Sequence, residues 1–138
     1  MYVLDTNVVS ELRKVKSGKA DSNVISWANS VDAKLLYLSS ITVHELEYGI
    51  LLTERSDKPS GKILRKWFSE HVLPAFDRRI LPVCKQVALV SARFHIPDPK
   101  QYRDTLIAAT ALVHGMTVVT RNVRDFHLPG VSTLNPWD

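Results

Sequence analysis

Four carboxylates in this 138-residue chain stand where chemistry could be done. Asp5 ends the apolar run Tyr2-Val3-Leu4, and Glu45 follows Ser39-Ser40-Ile41-Thr42-Val43-His44. Asp104 opens Asp104-Thr105-Leu106-Ile107-Ala108-Ala109, and Asp125 closes Thr120-Arg121-Asn122-Val123-Arg124-Asp125. Carboxylates gathered in one place repel one another, so such a set is costly unless a cation occupies it. Donors that are all oxygen select a hard ion, Mg²⁺ or Mn²⁺, over zinc. That donor set suits metal-assisted hydrolysis of a phosphodiester, with no acid acting as a covalent nucleophile.

Each acid also has a plain structural use. Asp5, Thr6 and Asn7 are all good N-cap types, since a short side-chain oxygen takes a free amide of the first helical turn. Glu45 could favour the positive end of its helix, and Asp104 could be a cap. Asp125 could pair on the surface with Arg121 or Arg124. What favours a shared site is position, which depends on the elements that carry the four acids.

Short apolar runs alternate with amphipathic stretches, the pattern of an α/β fold with a parallel sheet. Strands are expected at Tyr2–Leu4, Leu35–Leu38, Ile80–Val83, Thr117–Val119 and Val131–Leu134. Helices are expected at Val8–Arg13, Ser22–Val31, Val43–Leu52, Lys62–Phe76, Lys85–Phe94 and Arg103–His114. Ser56-Asp57-Lys58-Pro59-Ser60-Gly61 is dense in turn formers and reads as the loop of a helical hairpin. Ile96-Pro97-Asp98-Pro99-Lys100 reads as a second loop, because its prolines cannot continue a helix. Gly115 then ends the helix that Asp104 opens. On this frame Asp5, Glu45 and Asp125 follow strand ends and Asp104 begins a helix. With parallel strands all four reach one edge of the sheet, the edge at which α/β sheets bind ligands.

Length suits one domain, residues 1–138, with a two- or three-layer core. The single cysteine, Cys84, excludes an internal disulfide and fits a reducing cytoplasm. No stretch is long and apolar enough to span a membrane. The formal charge of +4 hints at a polyanionic partner. The hint strengthens if four of the 14 acids are gathered in one site, leaving 18 Lys and Arg against the rest. Other chemistries are set aside. There is no phosphate-binding Gly loop or dinucleotide fingerprint. His44-Glu45 has Tyr48 where a zincin needs its second histidine, and Asn7 stands where a phosphoaspartyl phosphatase wants an Asp. Neither Ser39 nor Ser40 has a nucleophile-elbow context.

The ordered set Leu4-Asp5-Thr6-Asn7-Val8-Val9-Ser10-Glu11, Ser39 to Leu46, Asp104 to Ala111 and Val119 to Phe126, with the tail Leu134-Asn135-Pro136-Trp137, resembles the PIN-domain ribonucleases. Within them it is most similar to VapC-type toxins of bacterial toxin–antitoxin pairs, in the FitB-like branch. The resemblance implies a three-layer α/β/α domain with a roughly five-stranded parallel sheet and a helical hairpin over Val43–Phe76. It implies a Mg²⁺- or Mn²⁺-dependent endoribonuclease with an RNA substrate, often a transfer RNA. A small antitoxin partner and a homodimer are also implied, with the hairpin part of both surfaces.

Carried over by residue, Asp5, Glu45 and Asp104 form the acidic core, with Asp5 and Asp104 the metal ligands. Asp125 is catalytic and Asn122 a polar helper in the fourth position. Thr6 and Thr120 would support the carboxylates, Thr6 beside Asp5, which leaves capping to Asn7. Arg103, Arg121 and Arg124 are expected to meet RNA phosphates, and Arg13-Lys14-Val15-Lys16 is a further candidate, although a charge run such as Arg13–Lys19 is more often solvated surface. Cys84, where relatives carry an acid at a helix start, is a poorer cap and is expected to be a small buried apolar group. Trp27, Trp67 and Phe68 are expected in the core. Thr105 stands where relatives have a small residue and receives no role. Two rivals remain. One is a PIN-like module that binds RNA or protein without cutting. The other is a phosphotransfer receiver, which lacks the Asp it would need after Ile80–Val83.

Overall fold

Successive residues of a strand face opposite sides of a sheet, and the short apolar runs use this to divide the core in two. Val3 and Val118 join Val87, Phe94, Ile107, Ala108, Ala111 and Phe126 on one face. Leu4, Val119, Leu36 and Leu38 join Val8, Val9, Leu46, Ile50, Phe68 and Val72 on the other. Both faces are therefore covered, as a parallel sheet requires. The computed structural model, which describes residues 1–138, shows how.

Chain order is β1 (Tyr2–Leu4), α1 (Thr6–Leu12), α2 (Ser22–Ser30), β2 (Leu36–Ser39), α3 (Ser40–Ser56) and α4 (Lys58–Trp67). Then come α5 (Leu73–Ala75), β3 (Ile80–Leu81), α6 (Lys85–Arg93), α7 (Tyr102–Val113), β4 (Thr117–Val119) and β5 (Thr133–Leu134). Five parallel strands lie in the order β3-β2-β1-β4-β5. Tyr2 pairs with Leu36 on one side and Thr117 on the other, and Leu4 pairs with Val119. This is the expected three-layer α/β/α architecture. No helix is long and apolar enough to cross a membrane.

The expected strands and helices are present, with shifted ends. β3 closes at Leu81 and β5 begins at Thr133, both shorter than expected. α1 starts at Thr6, and Arg13 already belongs to a 3₁₀ turn, Arg13–Ser17, closed by Gly18 at φ +73°. α3 begins directly on the end of β2, with the Ser39 hydroxyl accepting from the Ile41 amide as its cap. Gly115, at φ +66°, follows α7 as expected.

The hairpin departs most from expectation. The stretch 56–61, read as a loop, is helical but for one residue. Asp57 closes α3 through its amide on the Thr53 carbonyl and opens α4 by accepting from the Ser60 amide and hydroxyl. Pro59 sits in the first turn of α4, where it has no amide to waste. The helix expected over 62–76 is interrupted by a π turn, Phe68–Val72, just ahead of Pro74, whose ring does not fit a regular α turn behind it.

Two features hold α3 to α4. A Cβ on Gly61 would lie 2.6 Å from the Glu54 Cα, so only glycine lets the helices come this close. The Arg65 guanidinium forks onto Glu47 at 2.6 and 2.7 Å and reaches Glu54 at 3.0 and 3.2 Å. It holds the Glu47 carboxyl below the usual range. Trp27, Trp67 and Phe68 pack on the core face as expected. Cys84 is instead exposed, and it begins α6 without a side-chain cap. We expect Gly61→Ala to overpack the hairpin and cost about 1–3 kcal/mol of stability. Chemical denaturation of the two proteins measures the difference.

Candidate active site

The carboxyl end of β1, the central strand, is where the acids meet. Asp5 follows directly after Leu4, with its amide on the Val119 carbonyl at 2.9 Å. Its side chain is only 7 % exposed. A buried carboxylate needs donors. Oδ1 accepts from the Thr6 amide at 2.8 Å, and Oδ2 accepts from the Thr120 hydroxyl at 2.8 Å and the Asn7 amide group at 3.4 Å. Thr120, itself fully buried, is oriented by accepting from the Asn122 amide at 3.0 Å. Burial pushes the Asp5 carboxyl up, the Thr120 and Thr6 bonds pull it down, and the charge on Asp125 adds to the rise.

Asp5 is therefore the cap of α1, and Asn7 is not. Capping and a place in the cleft prove compatible in one side chain, because its two oxygens face different partners. Asn7 instead bridges, donating to Asp5 and accepting from the Arg121 amide at 3.4 Å. Thr6 also differs from expectation: its hydroxyl donates to Glu45 Oε1 at 2.9 Å, and only its backbone supports Asp5. Glu45 lies in the second turn of α3, and its other oxygen accepts from Arg103 at 3.4 Å. Thr6 and Arg103 thus hold Glu45 from two sides.

Asp104 is the third residue of α7, whose cap is Gln101, so Asp104 is not the cap. Its carboxyl is pushed up to about 6, first by burial and then by the charges of Asp5, Asp125 and Glu45, with Arg103 pulling the other way. That dependence places Asp5, Asp125 and Glu45 within the field of Asp104, as Asp125 is within that of Asp5. Asp125 lies in the 3₁₀ turn Val123–Phe126 and pairs with neither Arg121 nor Arg124. Asn122 contributes its backbone amide. Arg121 stacks over the Trp137 ring at 5.2 Å, while Arg124 is exposed without an ion pair. No three acidic, imidazole or thiol groups converge to hold a metal ion in these rotamers. The donor chemistry still fits a hard cation: Asp104 lies in the field of three further carboxylates, Asp5, Asp125 and Glu45, with Arg103 the one cation that offsets it.

Thr105, given no role from sequence, proves to be a buried junction. It donates to the Tyr102 carbonyl at 2.9 Å and accepts from Ser91 at 3.0 Å. His95 Nε2 lies 3.0 Å from the same hydroxyl, and His95 Nδ1 accepts from the Lys100 amide. This ties α6 and the 96–100 loop to the turn of α7 that presents Asp104. A hydroxyl at the first buried position after a candidate ligand was the available signal.

The PIN domain family model matches residues 2–129. The chain is 34% identical to "VapC ribonuclease Y4jK" of Sinorhizobium fredii, covering 100% of this chain and 99% of that protein. It is 34% identical to "Toxin FitB" of Neisseria gonorrhoeae over 99% of each chain. A crystal structure of FitAcB from Neisseria gonorrhoeae superposes with a TM-score of 0.88 at 34% identity, covering 99% of each chain.

A carboxyl with a raised native pKa binds its proton more tightly folded than unfolded, so its ionisation opposes folding. For Asp104 that destabilisation appears as pH rises from the ordinary 3.8 through about 6. In chelator, Asp104→Asn is therefore expected to be more stable than the parent at pH 7.5, by about 1 kcal/mol after allowing for solvent screening. The gain should vanish near pH 4. Thermal melts at both pH values provide the check.

Proposed function

Because this chain belongs to the PIN domain family, we propose that it is a divalent-metal-dependent endoribonuclease, the toxin of a toxin–antitoxin pair. The observation that carries the reading is the way the acids are held at the carboxyl edge of the sheet: Asp5 by Thr120 and the Thr6 amide, and Glu45 by the Thr6 hydroxyl and Arg103, beside an Asp104 that burial and then the charges of Asp5, Asp125 and Glu45 push up. Full-length relatives named as a VapC ribonuclease and as a toxin support it.

Asp5 and Asp104 would hold Mg²⁺ or Mn²⁺. When bound, the ion polarises the phosphate and makes water a better nucleophile at neutral pH. The chain's own residues do the rest. Thr120 and the Thr6 amide fix the direction of the Asp5 carboxylate, so a ligating oxygen need not be ordered during the reaction. The Thr6 hydroxyl and Arg103 hold Glu45, which with Asp125 accepts a proton from the attacking water. Arg103 and Arg121 meet the phosphate oxygens, with Arg121 pre-oriented on Trp137; Arg124, exposed beside Asp125, adds a further contact. Water adds across the P–O3′ bond, and the leaving 3′ oxygen takes its proton from solvent.

The RNA proposed as substrate is a transfer RNA. A toxin needs an inhibitor, so a small antitoxin is proposed to cover the acidic cleft. A homodimer and a place in the cytoplasm complete the reading, and the whole chain, residues 1–138, acts as one PIN domain.

A second reading, a module that binds RNA or protein without cutting, draws on the absence of three converging metal-binding groups. Calorimetry with Mn²⁺ separates the two. The nuclease shows binding that is lost in Asp5→Asn and weakened about 10- to 100-fold in Thr120→Val; the module shows none that depends on Asp5. RNA cleavage is expected to disappear in both Asp5→Asn and Asp104→Asn while the fold is kept. Cleavage at the parental rate by either purified variant would sink the assignment.

A further inference from the structure

Outside the carboxylate cluster the helices leave a long groove with a one-sided charge. Its wider part, about 520 Å³, runs between the 3₁₀ turn after α1 and the outer side of α4. Arg13, Lys16, Lys66 and His71 line it together with Ile63 and Trp67, and no acid does. None of Arg13, Lys16 and Lys66 is in an ion pair. Glu11, the acid closest in sequence to the turn, is occupied by Lys14 and the Asp21 amide. A narrower part of about 310 Å³ shares Arg13 and Trp67 with the first and includes Thr6 and Glu45. The two parts share Arg13 and Trp67 as a common wall, so the free cations on one side adjoin Thr6 and Glu45 on the other.

A polyanion approaching four carboxylates is repelled unless cations lie along its path. Here Arg13, Lys16 and Lys66 stand along one path and accompany an indole ring. The Arg13 guanidinium is 5.9 Å from the Trp67 ring centre, which keeps charge and aromatic surface side by side. Ile63 is 66 % exposed and adds an apolar wall. Cations alternating with an aromatic and an apolar wall are what a single strand requires, for its phosphates and its bases respectively.

We propose that this groove binds a single-stranded segment of the RNA, with phosphates on Arg13, Lys16 and Lys66 and a base against Trp67. The strand so held delivers its next phosphates to the carboxylates. The proposal rests on the ribonuclease reading above, and it names the path by which substrate reaches that site.

The test uses the full-length chain carrying Asp104→Asn, with a fluorescein-labelled 12-nucleotide single-stranded RNA followed by anisotropy at several salt concentrations. Adding Lys16→Ala and Lys66→Ala should weaken binding at least about 10-fold at low salt. It should also make the slope of log K against log salt shallower by about 1.4, two phosphate contacts at about 0.7 each. The same charge loss away from the groove, Lys34→Ala with Lys85→Ala, should change neither. Equal effects from the two pairs would overturn the proposal, leaving only general attraction. So would unchanged RNA binding in the Lys16/Lys66 variant, which would leave the groove to a protein partner. Without Asp104→Asn, the Lys16/Lys66 variant should cleave the same RNA with a raised KM and an unaltered kcat. If the parent cleaves and the groove variant has an unchanged KM, the groove alone is wrong. If the parent binds through the groove but never cleaves, the nuclease reading fails and the groove stands.

Discussion

A carboxylate that is 7 % exposed, at the end of the central strand, is the constraint around which this molecule is arranged. Asp5 cannot sit there without donors, and the fold brings them from both ends of the chain. Thr6 and Asn7 come from the helix it starts, and Thr120 comes from the end of the neighbouring strand, 115 residues away. The parallel pairing of β1 with β4 places that hydroxyl, because Leu4 opposite Val119 puts Asp5 and Thr120 side by side. A single bond thus ties sheet register to the direction in which the acid points. Burial pushes the carboxyls of both Asp5 and its neighbour Asp104 up; the Thr120 and Thr6 bonds pull Asp5 back, whereas only the charge of Arg103 pulls Asp104 down.

Much of this was legible in the sequence, for identifiable reasons. Leu4-Asp5, Ser39 and Val119-Thr120 each mark a change from buried strand to polar turn, so the acids near them could be assigned to one edge. Asp104 was legible because two prolines precede it and a helix pattern follows. The finer pairing was not. Whether Thr6 serves Asp5 or Glu45 depends on how α3 is rotated, and that is set by Leu46 and Ile50 packing beneath the sheet. Asp57 misled for a different reason: Ser, Asp, Pro and Gly favour turns, but they are equally the residues of a helix start. Gly61 reads as a breaker in sequence, yet it is the point of contact between two helices.

The charge distribution has a similar two-level logic. The chain carries +4 overall, and six of its 14 acids stand in the carboxylate cluster or at the Arg65 clamp, where Glu47 and Glu54 share one guanidinium. Cations are left free on the outer turn after α1 and along α4. Clustering of one sign of charge beside exposure of the other is a natural result of assembling a cation site on a basic protein. It also gives the two ends of the groove opposite characters.

The joint between α3 and α4 is a single residue, and that bears on how this chain can change over evolutionary time. An α-helix turns about 100° with each residue. Inserting or deleting one residue at Asp57 would therefore swing Gly61 and Arg65 away from Glu54 and Glu47. Length variation, which surface connections usually absorb, has no room here. Exposed turns such as the one after α1 are free to lengthen and to diversify. Descendants of this chain can revise what those turns touch, but they inherit the hairpin whole.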